Sequence, residues 1–485
     1  MFILRKLRAG GMKQMLKSKN ASESTKLIFE EYPVKKALAA MIMPTIVSQL
    51  ILVVYNMADT WYVGRTGNAD AVAAISLCLP VYTILSAISN LFGIGGASAI
   101  ARAFGSGDQA QAKQAFSLAS YGALCAAALY AVLIQCFSKP LLLLIGADAG
   151  DLAYAVGYAH WTIVIGAVPT ILAPSFAHMI RAAGHAQIAS FGMILGALLN
   201  IALDPLFMFV LLKPGNEVAG AAIATVISNA VSLLFFLGYM ALHRENDIFS
   251  FRFFKNGRNA AILFDVLRSG IPGFSMQAFA MFSNCFLNAM LSTLGSEAVA
   301  GIGIVRKIDQ LAYAVNQGIT QGMLPLVAYC FSSGRHDRMK EVILYSAVSS
   351  FAFSVLCSVT SFLLAPQLVG LFIQDDVTIG YGAAFLRVLC LAIPIYSITL
   401  TIVAVFQAVG NGMKPFLLTV LRKGSLDILM MFVLKAAFGV SQILWASPIT
   451  ETLALCIAVG MLVHFYQTLF LPSADPVCDD KTENF

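Results

Sequence analysis

Twelve apolar runs, each at least 24 residues long, follow one another between residues 38 and 471 with little polar chain between them. Backbone in lipid must satisfy its own hydrogen bonds, which leaves only helices or closed barrels. Barrel strands alternate and span about 10 residues, whereas these runs are continuous and exceed the roughly 20 residues a transmembrane helix needs. Composition agrees. Charged residues make up 12% of the chain, against about 25% in soluble domains, with 59% hydrophobic residues and a mean hydropathy of +0.80. A soluble chain of this length would need several polar-surfaced domains. The expected fold is an all-α polytopic membrane protein.

The runs lie at 38–63, 71–101, 114–138, 152–180, 187–212 and 219–242, and again at 264–294, 298–330, 342–365, 380–408, 415–438 and 440–471. Pro44, Pro169, Pro174, Pro205, Pro272 and Pro394 predict tilted or bent helices. One set of loops, including Arg102, Arg181, Arg268 and Arg335, carries twelve Lys and Arg, and the other carries four. The segment before the first span adds nine to the basic side. The positive-inside rule therefore makes both termini cytoplasmic. The net charge of +6 orients the chain and is no nucleic-acid footprint. The basic residues 1–26 lack the apolar core of a secretory signal. The nine cysteines are scattered without a CxxC pair and read as small core residues.

The chain is also written twice. Pro44, Gln49 and Asn56 face Pro272, Gln277 and Asn284, and TGNADAVAAI faces LGSEAVAGI. Gly95, Gly107 and Lys113 then face Gly322, Gly334 and Lys340, and Pro169 faces Pro394. Six spans per copy insert both copies the same way up, so they form two six-helix bundles related by a pseudo-two-fold axis along the membrane normal. Such duplication is the design of alternating-access transporters. The expected division is a cytoplasmic segment 1–37, a first lobe 38–242, a linker 243–263, a second lobe 264–471 and a tail 472–485.

Ionisable groups inside spans are costly and mark candidate sites. Asn56 and Asp59 share one helix face, as do Asn200 and Asp204, with Pro205 freeing a backbone carbonyl nearby. Two carboxylates and an amide oxygen suit a small cation, and one carboxylate suits a proton equally well. Asp59 stands about 30 Å along its helix at 1.5 Å per residue, so an interfacial carboxylate is the competing reading. In the second half, Asp309, Asp427 and Glu451 accompany Arg306, Lys307, Arg387, Arg422 and Lys423, and Arg306 can neutralise Asp309 three residues away. The repeat partner of Asp59 is Leu287. Met276, Met281, Phe282 and Met290 are candidate walls for aromatic cations, with ordinary packing as the alternative. His160 and His178 could titrate or simply pack.

PTIVSQLILVVYNMADTWYVG, AISLCLPVYTILSAISNLFGIGGASAIARAFGSGD, NIALDPLFMF and GAAIATVISNAV resemble the multidrug and toxic compound extrusion (MATE) family, as do GIGIVRKIDQ, QAVGNGMKP and WASPITE. The resemblance runs over about residues 30–470 and is closest to the bacterial DinF- and MepA-like branches. It implies export of small organic cations such as drugs and dyes, driven by inward Na⁺ or H⁺, by a monomer in the bacterial plasma membrane. It also marks Asp59, Asn200 and Asp204 as the cation site, with Na⁺ among these three if sodium is the coupling ion, and Tyr158 and Thr225 as its nearest further members. Glu451 matches a family position, while Gln277 to Leu294 lacks the seventh-span acid of other members. No cofactor, nucleic acid or enzymatic step is expected, since neither a phosphate loop nor a metal-ligand spacing occurs. The alternative is a flippase for lipid-linked saccharides, for which Arg306, Lys307, Arg387 and Lys423 would hold a diphosphate.

Overall fold

A computed structural model describes residues 26–470, apart from 67–68, 149, 213–214, 244–247 and 253–256. The expected amino-terminal segment up to residue 25, parts of the linker, the tail 472–485 and Cys478 lie outside these. The first half contains α1 (Val34–Gly64), α2 (Ala69–Gly105), α3 (Gln109–Ile145), α4 (Leu152–Ala159), α5 (Ala167–Ala182), α6 (Ala186–Pro205) and α7 (Glu217–Leu242). The second contains α8 (Asn259–Leu291), α9 (Ser296–Ser332), α10 (His336–Leu363), α11 (Asp376–Leu389), α12 (Ala392–Ala408), α13 (Met413–Thr419), α14 (Asp427–Phe438) and α15 (Ala446–Phe470). Among the described residues, seven helices are long and apolar enough to cross a membrane, and two bent pairs bring the number to nine.

The three remaining expected spans are α8, α9 and the α13–α14 segment. Their helices form as expected, but polar residues such as Arg306, Lys307, Asp309, Arg422, Lys423 and Asp427 dilute their apolar character. The bends repeat between the halves. α4 and α5 meet at 50°, and α11 and α12 at 45°. Pro169 and Pro394 each occupy the third position after their bend, where a first-turn proline loses no intrahelical bond. Pro205 stands where α6 passes into a wider π turn over Leu206–Leu211. Pro44, Pro174 and Pro272 lie inside continuous helices.

The halves join along a seam near the ends where α1 and α8 begin and α2 and α9 end. Glycine makes this seam possible. A Cβ at Gly95 would lie 2.1 Å from Val266 O, and one at Gly270 would lie 1.8 Å from Leu91 O. Gly318 and Gly322 receive α1 in the same way, at Ile46 and Ile42. Arg102 adds an ion pair across the seam, with Nη2 at 2.6 Å from Asp265 Oδ2.

The turn Leu27–Glu31 straps the same end. Phe29 is fully buried against the Tyr329 ring at 5.1 Å, and Arg338 Nη2 donates to Tyr32 O at 2.8 Å. Tyr329 Oη donates to the Glu30 carboxylate, and Arg335 stands 3.2 Å from it. That hydrogen bond first, and the Arg335 charge after it, hold the Glu30 carboxyl below its ordinary range. A depressed carboxylate value means the docking contribution is complete at neutral pH and lost as pH falls through the lowered value. Hydrogen exchange of the 27–32 amides should therefore show protection at neutral pH that fades as pH falls below the ordinary carboxylate range. Glu30→Gln should weaken the protection at neutral pH and remove the step.

Candidate functional site

Close packing of α6 on α7 builds the first-half site. A Cβ at Gly196 would lie 2.0 Å from Ser232 Oγ, so α6 is drawn onto α7, and Asn200 one turn later meets Thr225. Asp204, a further turn along the same face, is 0% exposed. The Asn200 amide turns its nitrogen toward Asp204, so Nδ2 donates to Oδ2 at 2.9 Å and its oxygen accepts from Thr225 N at 3.1 Å. This sense satisfies both the amide and an ionised carboxylate.

Asp59 is half-buried on α1 and lies within electrostatic reach of Asp204, Tyr158 and Tyr82. Tyr55, one turn before Asp59, joins the same group. Asn229 Nδ2 donates to Thr170 Oγ1 at 3.0 Å beside Tyr82. A cavity of about 330 Å³ reaches Asn200 and Thr225 past Tyr55 and Asn229. Asn56 lines the larger space between the halves, which Tyr55, Tyr82, Thr170 and Asn229 also border.

That central space has a volume of about 1290 Å³ and is walled mostly by amides and hydroxyls, including Gln49, Gln277, Gln317 and Gln321. At its seam side Gln321 Oε1 accepts from Gln49 Nε2 at 3.0 Å and from Arg181 Nη1 at 3.5 Å, joining the halves. Arg181 corrects a sequence expectation. The charge pattern places it in a loop, but α5 runs to Ala182, just before the left-handed Gly184, so Arg181 is buried within the helix. The spans of the first half therefore do contain a cation. His178 stands 3.3 Å from Arg181, while His160 meets Gln135 at 3.1 Å.

In the second half, Arg422 Nη1 pairs with Glu451 at 3.0 Å, and Lys423 pairs with Asp427 at 3.3 Å and Glu451 at 3.4 Å. Ser283 and Thr450 donate to Asp427 at 2.5 and 3.1 Å. The expected Arg306–Asp309 ion pair is not formed among the described residues. Arg306 Nη2 turns to Asn284 O at 3.4 Å, and Asp309 Oδ1 is buried without a hydrogen-bond partner. Both line a second cavity of about 1420 Å³. Met276 and Gln277 border it, because the α8 face running through Ala280, Asn284 and Leu287 looks inward. Met281 and Phe282 lie off that face, Phe282 being exposed, and Met290 is packed in the core beside Leu291 and Ile302.

A family model, MatE, matches the chain twice, over residues 44–206 and 272–433. The matches begin at the two prolines that open the internal repeat. The chain belongs to the MATE family. The multidrug export protein MepA of Staphylococcus aureus is 30% identical over 437 residues, which cover 90% of this chain and 95% of that protein. MepA of Staphylococcus saprophyticus is 29% identical over the same extents. Among solved structures, a MATE protein in complex with MaD5 superposes with a TM-score of 0.84 at 25% identity, covering 92% of this chain and 98% of that one. The outward-facing conformation of a multidrug resistance MATE family transporter of the MOP superfamily superposes with a TM-score of 0.82 at 26% identity and the same coverage. As in those relatives, the chain is a multi-pass helical membrane protein.

Sequence reasoning did not single out Tyr55, Tyr82, Thr170 and Asn229 in this MATE chain. Two carried a legible signal, since Tyr55 precedes Asp59 by one turn and Asn229 follows Thr225 by one. Tyr82 and Thr170 are polar residues in apolar runs, and only helix packing brings them to the carboxylates.

Proposed function

We propose that this chain is a secondary active exporter of bulky organic cations that works by alternating access in exchange for Na⁺ or H⁺, with both termini cytoplasmic. The observation that carries this reading is the fully buried Asp204, hydrogen-bonded to Asn200 and within electrostatic reach of Asp59. Asp59 and Asp204 repel each other when both are charged, and loading with a proton or a small cation neutralises them. Loading would change the Asp204–Asn200 contact where α6 meets α7, next to a cavity shared by both halves. The relatives named as multidrug exporters support the cargo class.

The flippase alternative needs free cations along a cavity to hold a diphosphate. Lys423 is engaged by Asp427 and Glu451, and Arg387 Nε turns to Phe362 O at 3.5 Å. Arg306 borders the second-half cavity without an ion pair, but one such cation is too little charge to hold a diphosphate, which favours the exporter. Purified protein in proteoliposomes should accumulate ethidium when an opposing Na⁺ or H⁺ gradient is imposed, and the gradient that drives it names the ion. Translocation of a lipid-linked saccharide with no ethidium movement under either gradient would overturn the reading.

A further inference from the structure

The second-half cavity carries an unused pair of opposite charges. Six ionisable side chains border it, but Arg422, Lys423, Asp427 and Glu451 neutralise one another within hydrogen-bonding distance. Arg306 and Asp309 stand apart from that group. Arg306 makes one long hydrogen bond to a backbone oxygen, and Asp309 keeps a buried oxygen with no donor. A buried carboxylate oxygen left unpaired is costly and calls for a partner. One turn beyond Asp309 on the same face of α9 stands Tyr313, whose ring stacks on Tyr396 at 5.9 Å and 22°. Tyr396 in turn lies 5.1 Å from the Arg422 guanidinium, so this aromatic wall is fixed in place. Along one face of α9 the cavity thus offers an anion acceptor, a cation acceptor and an aromatic surface in sequence.

We propose that this second-half cavity binds aromatic zwitterions, with the ligand's cationic group at Asp309, its carboxylate at Arg306 and its ring against Tyr313. A plain cation would satisfy Asp309 while facing the Arg306 charge, and a plain anion would meet the reverse. Only a ligand carrying both signs completes both side chains. Arg306 and Asp309 both stand on α9, one of the three spans too polar to pass as membrane helices. Their polarity is the cost of building the site. This inference names a cargo class for the proposed exporter, and binding is measured separately from transport so that the two can fail independently.

The test uses rhodamine B, which carries a carboxylate and a delocalised cation, and rhodamine B ethyl ester, which lacks the carboxylate. Fluorescence anisotropy with the full chain in nanodiscs should show tighter binding of rhodamine B. Arg306→Gln should weaken rhodamine B by about tenfold, as expected for one charge-assisted hydrogen bond, and leave the ester no weaker, since the variant removes the charge that opposes a plain cation. Asp309→Asn should weaken both dyes. The proposal is overturned if neither dye binds the wild-type protein, if the ester binds as tightly as the parent, or if Arg306→Gln affects both dyes alike. Loss of ethidium transport with this binding pattern intact would instead count against the exporter reading.

Discussion

Asp204→Asn should reduce ethidium efflux from cells expressing the protein to the level of cells without it. Asp204 is fully buried, and its neighbours Asn200 and Thr225 are neutral. An amide in its place keeps the shape and can still bond to Asn200, but it cannot take up a proton and brings no negative charge to balance a metal cation. The chemical difference between loaded and unloaded states then vanishes, and a gradient has nothing to act on. Asp59→Asn should be milder, lowering efflux by about tenfold, because it removes one charged partner while Asp204 can still load. Equal amounts of each variant in the membrane, measured by immunoblot, make the comparison valid. Undiminished efflux by both variants would remove the first-half coupling site.

Gly270→Ala should force the seam apart. The new Cβ would come within 1.8 Å of Leu91 O, a backbone atom of the opposite half that cannot turn aside. Alanine is favoured over glycine inside a helix by about 1 kcal/mol, so local propensity alone would stabilise the variant. Overpacking of a tight contact costs about 1–3 kcal/mol and opposes that gain only in the state where the halves touch. Spin labels at the seam ends of α2 and α8 should report a longer distance and a larger open population in the variant. Gly238→Ala is the control, since a Cβ there meets no atom within 4 Å. An unchanged distance distribution in Gly270→Ala would show that the seam yields by local adjustment and is not the contact separating two states.

Legibility differed between fold and site for a physical reason. Helix existence follows from long apolar runs, and the six-plus-six duplication follows from paired prolines and glycines, because each is a property of adjacent residues. Asn200 with Asp204 was readable for the same reason, since one turn of helix places them together. The seam was not. Gly95 and Gly322 align as repeat partners, but the alignment does not say that each meets the other half, at Val266 on α8 and at Ile42 on α1.

The second half shows the limit most clearly. Arg306 and Asp309 are one turn apart and would pair on an isolated helix, yet the fold turns Arg306 toward Asn284 on α8. Glu451, 29 residues from Arg422 in sequence, completes an ion pair that no local spacing announces. Pattern alone thus fixed the solvent, the helices, the duplication and a family. Which charges cancel, which remain unpaired in a cavity and where the halves close were decided only by packing between helices. Those contacts join residues tens to hundreds of positions apart, and helical periodicity carries no information at that range.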